Sequence, residues 1–196
     1  MAIYKKYRDY EQIRDRGLII IGYQGIGKSS FASSRNKTID LESSNFKVDG
    51  DRDDNWQVIY CRIAISLAKQ GYIVFTSSHQ VVVEEFMKYY NLDDDYTIVI
   101  VSPYRNLEIE WIEKLRQRWF ADKKNEKNRR AYEDAKQNFQ NEIYWLASQN
   151  EFPYIPIKTM DYAFSRIVEG LCCIYGINEH CHSMIPRRRD YDEDED

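Results

Sequence analysis

The segment Gly22–Ser29 reads GYQGIGKS: a glycine, four intervening residues, then Gly27, Lys28 and Ser29. This fits the pattern G-x-x-x-x-G-K-[ST], and each position has a chemical reason. Gly22, Gly25 and Gly27 let the backbone wrap tightly, so that the N–H groups from Gln24 and Ile26 through to Ser30 can converge on one anion. A helix starting within Lys28–Ser34 (KSSFASS) would add the partial positive charge of its N-terminus. In that geometry Lys28 reaches the β- and γ-phosphates of a nucleotide, and the Ser29 hydroxyl ligates magnesium. With glycine at about 7% of residues, chance gives such a match roughly once in a hundred chains of this length. ATP with magnesium is therefore the expected ligand pair.

The loop needs a strand before it and a helix after it, and the flanking residues supply both. GLIII (Gly17–Ile21) is a continuous apolar run ending at Gly22. YIVFTS (Tyr72–Ser77) and YTIVIVS (Tyr96–Ser102) are apolar on both faces, as buried parallel strands are. Thr38–Asp40 is the weakest strand candidate, and YIPI (Tyr154–Ile157) is an edge strand because Pro156 cannot donate to a ladder. Helical patterns fill the gaps. Trp56–Gln70 sets Trp56, Ile59, Tyr60, Ile63 and Leu67 on one stripe and stops at Gly71. Val81–Tyr90 is shorter, and Leu107–Phe120 carries Leu107, Trp111, Leu115 and Trp119 at helical spacing. Asn125–Ala147 and Met160–Leu171 follow, and residues 1–16 read as a short charged helix. DGDRDDN (Asp49–Asn55) and the charged stretch Ala121–Arg130 read as loops or tips. Alternation of strands and helices specifies a parallel sheet covered on both faces. With the glycine loop, this predicts an α/β three-layer sandwich of the P-loop NTPase type. It has about five parallel strands and a helical lid excursion, about residues 105–149, between the fourth and fifth. Residues 1–186 form one domain on this reading, and 187–196 a solvated acidic tail.

The early glycine loop, the acid-rich DLE after the second strand and the arginine-bearing excursion resemble small nucleoside and nucleotide monophosphate kinases. IGYQGIGKSS, IDLESSNF and GYIVFTSSH are similar to nucleotide kinases or ATP-binding proteins encoded in bacteriophage genomes, over about residues 17–165. The resemblance implies transfer of the γ-phosphoryl group of ATP to a small acceptor, with a nucleoside monophosphate such as a deoxynucleotide expected first. It implies that Asp40 orients magnesium and that Glu42 holds or activates the acceptor, both at the carboxyl end of the second strand. Arg116 and Arg118 would stabilise the migrating phosphoryl group, although two helical residues about 200° apart cannot both face it. Ser77 and His79 would contact phosphate or acceptor, or Ser78 would instead cap the next helix. The third strand departs from the pattern of motor ATPases, because Ser77-Ser78-His79 stands where they carry an aspartate. No D-x-x-G follows the second strand and no N-K-x-D base reader is present, which argues against a GTPase. The alternative function is a regulatory or assembly protein that binds ATP and transfers nothing.

Composition narrows the rest. A content of 43% hydrophobic and 31% charged residues is globular, not disordered. Removing the six acids of Asp190–Asp196 changes the formal charge from −4 to +2, so no broad basic stripe suits nucleic acid. No apolar run is long enough for a membrane span and no secretory leader is visible. The four cysteines, Cys61, Cys172, Cys173 and Cys181, lack the spacing of a disulfide framework, which points to a reducing cytoplasm, that of the host cell if the chain is phage-encoded. Cys172, Cys173, His180, Cys181 and His182 are too closely spaced to suit a tetrahedral zinc cage. The sixteen tyrosines are scattered and read as packing at core edges. Oligomeric state is left open.

Overall fold

GLIIIG offers no polar side chain to solvent, so it has to lie where both its faces are covered, and it becomes the central strand. The computed structural model describes residues 16–48, 51–52, 55–90 and 95–177. In chain order the elements are β1 (Gly17–Gly22), α1 (Lys28–Ala32), β2 (Thr38–Asp40), β3 (Lys47–Val48), β4 (Asp51–Arg52) and α2 (Trp56–Ala68). They continue with β5 (Ile73–Ser77), α3 (Gln80–Tyr89), β6 (Tyr96–Pro103), α4 (Glu108–Ala121), α5 (Glu126–Ala147), β7 (Tyr154–Ile157) and α6 (Phe164–Tyr175).

Five strands form one sheet in the order β2-β5-β1-β6-β7, and every pair is parallel. In the register, Ile20 stands between Phe75 and Val99. All six residues of β1 and all eight of β6 are buried. Removing such a Val or Ile side chain from water stabilises the fold by roughly 1.5–3 kcal/mol. Helices cover both faces. On one, Phe31 of α1 and Phe164 of α6 meet edge-on, with centroids 6.0 Å apart, and both pack on Phe75 of β5. α2 and α3 pack on each other, and the right-handed crossover that parallel strands favour puts them on the other face. The chain leaves β1 toward β2 on one side and leaves β6 toward β7 on the other. Divergence of this kind opens a crevice at the carboxyl ends of the two strands.

Several expectations change in detail. The buried face of α2 is Trp56, Tyr60, Cys61, Ala64 and Ala68, whereas Ile59 and Ile63 are 51% and 38% exposed. Small Ala64 and Ala68 let the helix approach the sheet more closely than an isoleucine stripe would, and so they take the core side. The strand pair β3–β4 is antiparallel and falls partly where the sequence predicts a loop. The turn between α4 and α5 is only residues 122–125, because the Asn125 side chain accepts from the Asn128 N–H and starts α5 at Glu126. α6 begins at Phe164, not Met160, which frees Tyr162 for another role. His79, not Ser78, is the residue before α3. As Pro156 requires, β7 lies at the edge of the sheet. The N-terminal segment, His180, Cys181, His182 and the acidic tail lie outside the described residues.

Candidate functional site

Between β1 and α1 the chain reverses around Tyr23–Gly27, and it is held from outside. The Tyr23 N–H donates to the Val101 carbonyl at 3.0 Å. Gly25 and Gly27 have φ of 84° and 111°, values that only glycine adopts readily. A Cβ at Gly25 would also stand 2.8 Å from Leu115 Cδ2, and one at Gly22 would meet the Lys28 side chain at 2.8 Å. The Trp111 indole N–H donates to the Gln24 carbonyl at 3.0 Å. The Tyr162 hydroxyl donates to the Ile26 carbonyl at 3.0 Å and accepts from Lys114 Nζ at 2.8 Å. Trp111 and Tyr162 stack with centroids 5.8 Å apart, and the Lys114 ammonium lies 4.3 Å from the Trp111 ring. The loop carbonyls are therefore tied to α4 and to the segment before α6. The first N–H groups of α1 have no partner within the helix. At five residues, α1 is too short for much macrodipole, so any anion here depends on those N–H groups and on side chains.

Lys28 lies across the loop with its ammonium donating to the Gly22 carbonyl and, at 3.3 Å, to that of Tyr23. Burial pushes its pKa down to about 8, against the pull of Asp40 and Glu42; Lys127 and Arg118 push it the same way as burial. Ser29 Oγ donates to Asp40 Oδ2 at 2.5 Å, which brings the start of α1 and the end of β2 together. The ends of β2 and β5 are fastened by Tyr60, whose hydroxyl donates to the Leu41 carbonyl at 2.7 Å and accepts from the Ser77 N–H at 2.8 Å. A hydroxyl beside a carboxylate is a hard oxygen donor set, the kind that magnesium accepts.

Facing this edge across a cavity of about 1260 Å³ are α4 and α5. The sequence-based candidates Gly22, Gln24, Gly25, Ile26, Gly27, Lys28, Ser29, Ser30, Asp40, Glu42, Ser77 and His79 all line it. Of the two candidate arginines, Arg118 lines it and Arg116 does not. Arg116 is instead held by both oxygens of Glu113, at 2.7 and 2.9 Å, on the outer side of α4. Lys114, Lys127 and Arg130 complete a group of cations in the wall, and Lys127 forms an ion pair with Glu42. Arg129 is spent on Glu126 and Glu133. Asp134 accepts from Gln24 Nε2 at 3.1 Å, and Glu142 accepts from the Tyr23 hydroxyl at 3.0 Å. Burial and the Asp134 charge push Glu142 up to about 7, against the Tyr23 hydrogen bond.

Lys114, Lys127, Asp134, Glu142, Trp111 in its bonding role and Tyr162 are absent from the sequence-based candidates. A trace of them exists: on α5, residues 127, 130, 134, 138 and 141–142 recur at three- and four-residue steps, a polar stripe on one face. Among the described residues no three His, Cys, Asp or Glu are gathered for a metal ion. Cys172 is buried in α6 and Cys173 is exposed. None of the described helices is long and apolar enough to cross a membrane. The chain matches no family model, and a search of curated proteins returns no match.

Proposed function

We propose that the chain is a P-loop phosphotransferase that moves the γ-phosphoryl group of ATP to a small acceptor, a nucleoside monophosphate. One observation carries this reading. The Lys28–Ser29–Asp40 constellation and the lid cations Arg118, Lys127 and Arg130 line one cleft. At about 1260 Å³ the cleft exceeds the ~300–1,000 Å³ that a single small ligand needs. The loop N–H groups and Lys28 bind the β- and γ-phosphates. Ser29 and Asp40 are the residues that would hold magnesium, which when bound draws charge from the phosphate oxygens. An acceptor phosphate oxygen forms a bond to the γ-phosphorus while the bond to the β–γ bridging oxygen breaks, giving ADP and a diphosphate. Arg118 and Arg130 offset charge on the migrating group, which is most of what such a transition state asks of a protein. Glu42 holds the acceptor once Lys127 has exchanged its ion pair for a phosphate.

Binding and transfer separate by mutation. Asp40→Asn should lower turnover and raise the magnesium requirement while acceptor KM stays near the parent value. Glu42→Gln should raise acceptor KM or lower turnover while ATP binding survives. If both variants turn over like the parent, the β2 acids are bystanders to the transfer; if the parent itself transfers nothing, a binding-only protein is the better account.

A further inference from the structure

A second cavity, of about 360 Å³, lies beside the first between the start of α3 and the middle of α5. Its lining includes Ser78, Gln80, Asn138, Asn141, Glu142 and Trp145, and none of its lining residues is Lys, Arg or His. Ser78 and Glu142 belong to both cavities, so the two are neighbouring parts of one cleft. Charge is therefore divided along α5. Lys127 and Arg130 stand at its beginning, and amides, a carboxylate and an indole stand farther on. At about 1.5 Å per residue, Asn141 lies roughly 16 Å beyond Arg130 along the axis. A mononucleotide with its phosphate on Arg130, which lines the larger cavity, would cover most of that distance.

From this division we infer that the smaller cavity is the base subsite of the acceptor, and that the base it takes is guanine. The inference rests on the phosphotransferase reading and names its acceptor. Above pH 7, where Glu142 is mostly ionised, its carboxylate only accepts hydrogen bonds, and two oxygens side by side ask for two donors side by side. The guanine edge offers N1–H and the N2 amino group in that arrangement. Thymine and uracil place carbonyl oxygens on both sides of their single N–H, which a carboxylate repels. Adenine and cytosine present a donor next to an acceptor, which suits an amide better. The Glu142 Oε2 bond from Tyr23 orients the group and leaves lone pairs on both oxygens. Exposed Asn141, and the second amide proton of Asn138, whose first is donated to Asp134 at 3.0 Å, can donate to the O6 and N7 side, and half-buried Trp145 offers a ring to stack on. The same carboxylate ties the subsite to Tyr23 in the glycine loop, so base and phosphate are read by adjacent residues.

Calorimetric titration of the full chain with guanosine 5′-monophosphate, thymidine 5′-monophosphate and ribose 5-phosphate tests this, with ATP titrated into the same samples. The guanine nucleotide should bind at least about 10-fold more tightly than either comparison, the size of a charge-assisted hydrogen bond. Glu142→Gln should collapse the guanine-to-thymine ratio toward 1, a readout that a general loss of folding does not mimic. Asn141→Ala changes an exposed side chain, and it should weaken the guanine nucleotide a few-fold and leave ATP binding intact. Equal binding of the guanine and thymine nucleotides by the parent would overturn the inference, as would ribose 5-phosphate binding as tightly as either, or a ratio unchanged in Glu142→Gln. In those cases ATP would still bind, and the phosphotransferase reading would stand. Failure of the parent to bind ATP would remove that reading and this inference together.

Discussion

At Lys28 two effects oppose each other. Burial favours the neutral amine and lowers its pKa to about 8, while Asp40 and Glu42 favour the charged form. The ammonium is thus mostly charged at pH 7, and above pH 8 it loses its proton in the absence of a ligand. Bound phosphates raise its pKa, so nucleotide binding takes up protons in that window. Affinity should be full below about pH 7 and fall as pH rises through about 8, measured by titrating ATP at constant ionic strength. A flat profile would mean that Lys28 does not meet the phosphates. Lys28→Ala should lower turnover on the order of 10²-fold or more, because it removes charge aimed at the migrating group. Steady-state kinetics at saturating ATP checks this, and near-normal turnover contradicts it.

The glycine loop depends on elements distant in sequence, and this is where the sequence-based reading reaches its limit. Trp111 on α4 and Tyr162 before α6 hold the loop carbonyls, so their loss should be felt both in stability and in ligand binding. Trp111→Phe keeps most of the buried area but leaves the Gln24 carbonyl without its indole donor; it should destabilise by about 1–3 kcal/mol and weaken ATP. Tyr162→Phe should cost about 1 kcal/mol, since its hydroxyl serves both the loop and Lys114. Chemical denaturation of both variants gives these values, and wild-type stability in both would show that the loop holds itself. The strands were legible because β1, β5 and β6 are apolar on both faces, and the glycine loop because its spacing is specific. Arg118 could be separated from Arg116 only as one of a pair pointing opposite ways. The α5 residues were hidden for another reason. Lys127, Arg130, Asp134 and Glu142 look like any solvated helix face until the turn at residues 122–125 folds α5 back over the sheet edge. In α2 the apolar period was read correctly as helical, and Trp56 and Tyr60 do face the core, but Ile59 and Ile63 were assigned to it in place of Cys61, Ala64 and Ala68. An isoleucine outranks an alanine in hydrophobicity but not in how closely it lets a helix approach.

For the whole molecule, the cleft joins residues from β1, β2, β5, α4 and α5, so a nucleotide bound there would bridge the sheet and the α4–α5 hairpin. Anything that binds only the folded state stabilises it, by about 2.7 kcal/mol at a hundred times Kd. For a chain of 196 residues that is a rise in Tm of roughly 5–10 °C with ATP and magnesium. Such a shift would show binding but not transfer. The direct measurement of transfer is incubation of the full chain with γ-labelled ATP, magnesium and a panel of nucleoside monophosphates, followed by separation of the products. Labelled diphosphate should form from at least one acceptor, with the guanine nucleotide foremost, and none should form with Lys28→Ala. ATP that raises Tm while its label reaches no acceptor would contradict the account and leave a nucleotide-binding protein without phosphotransferase activity.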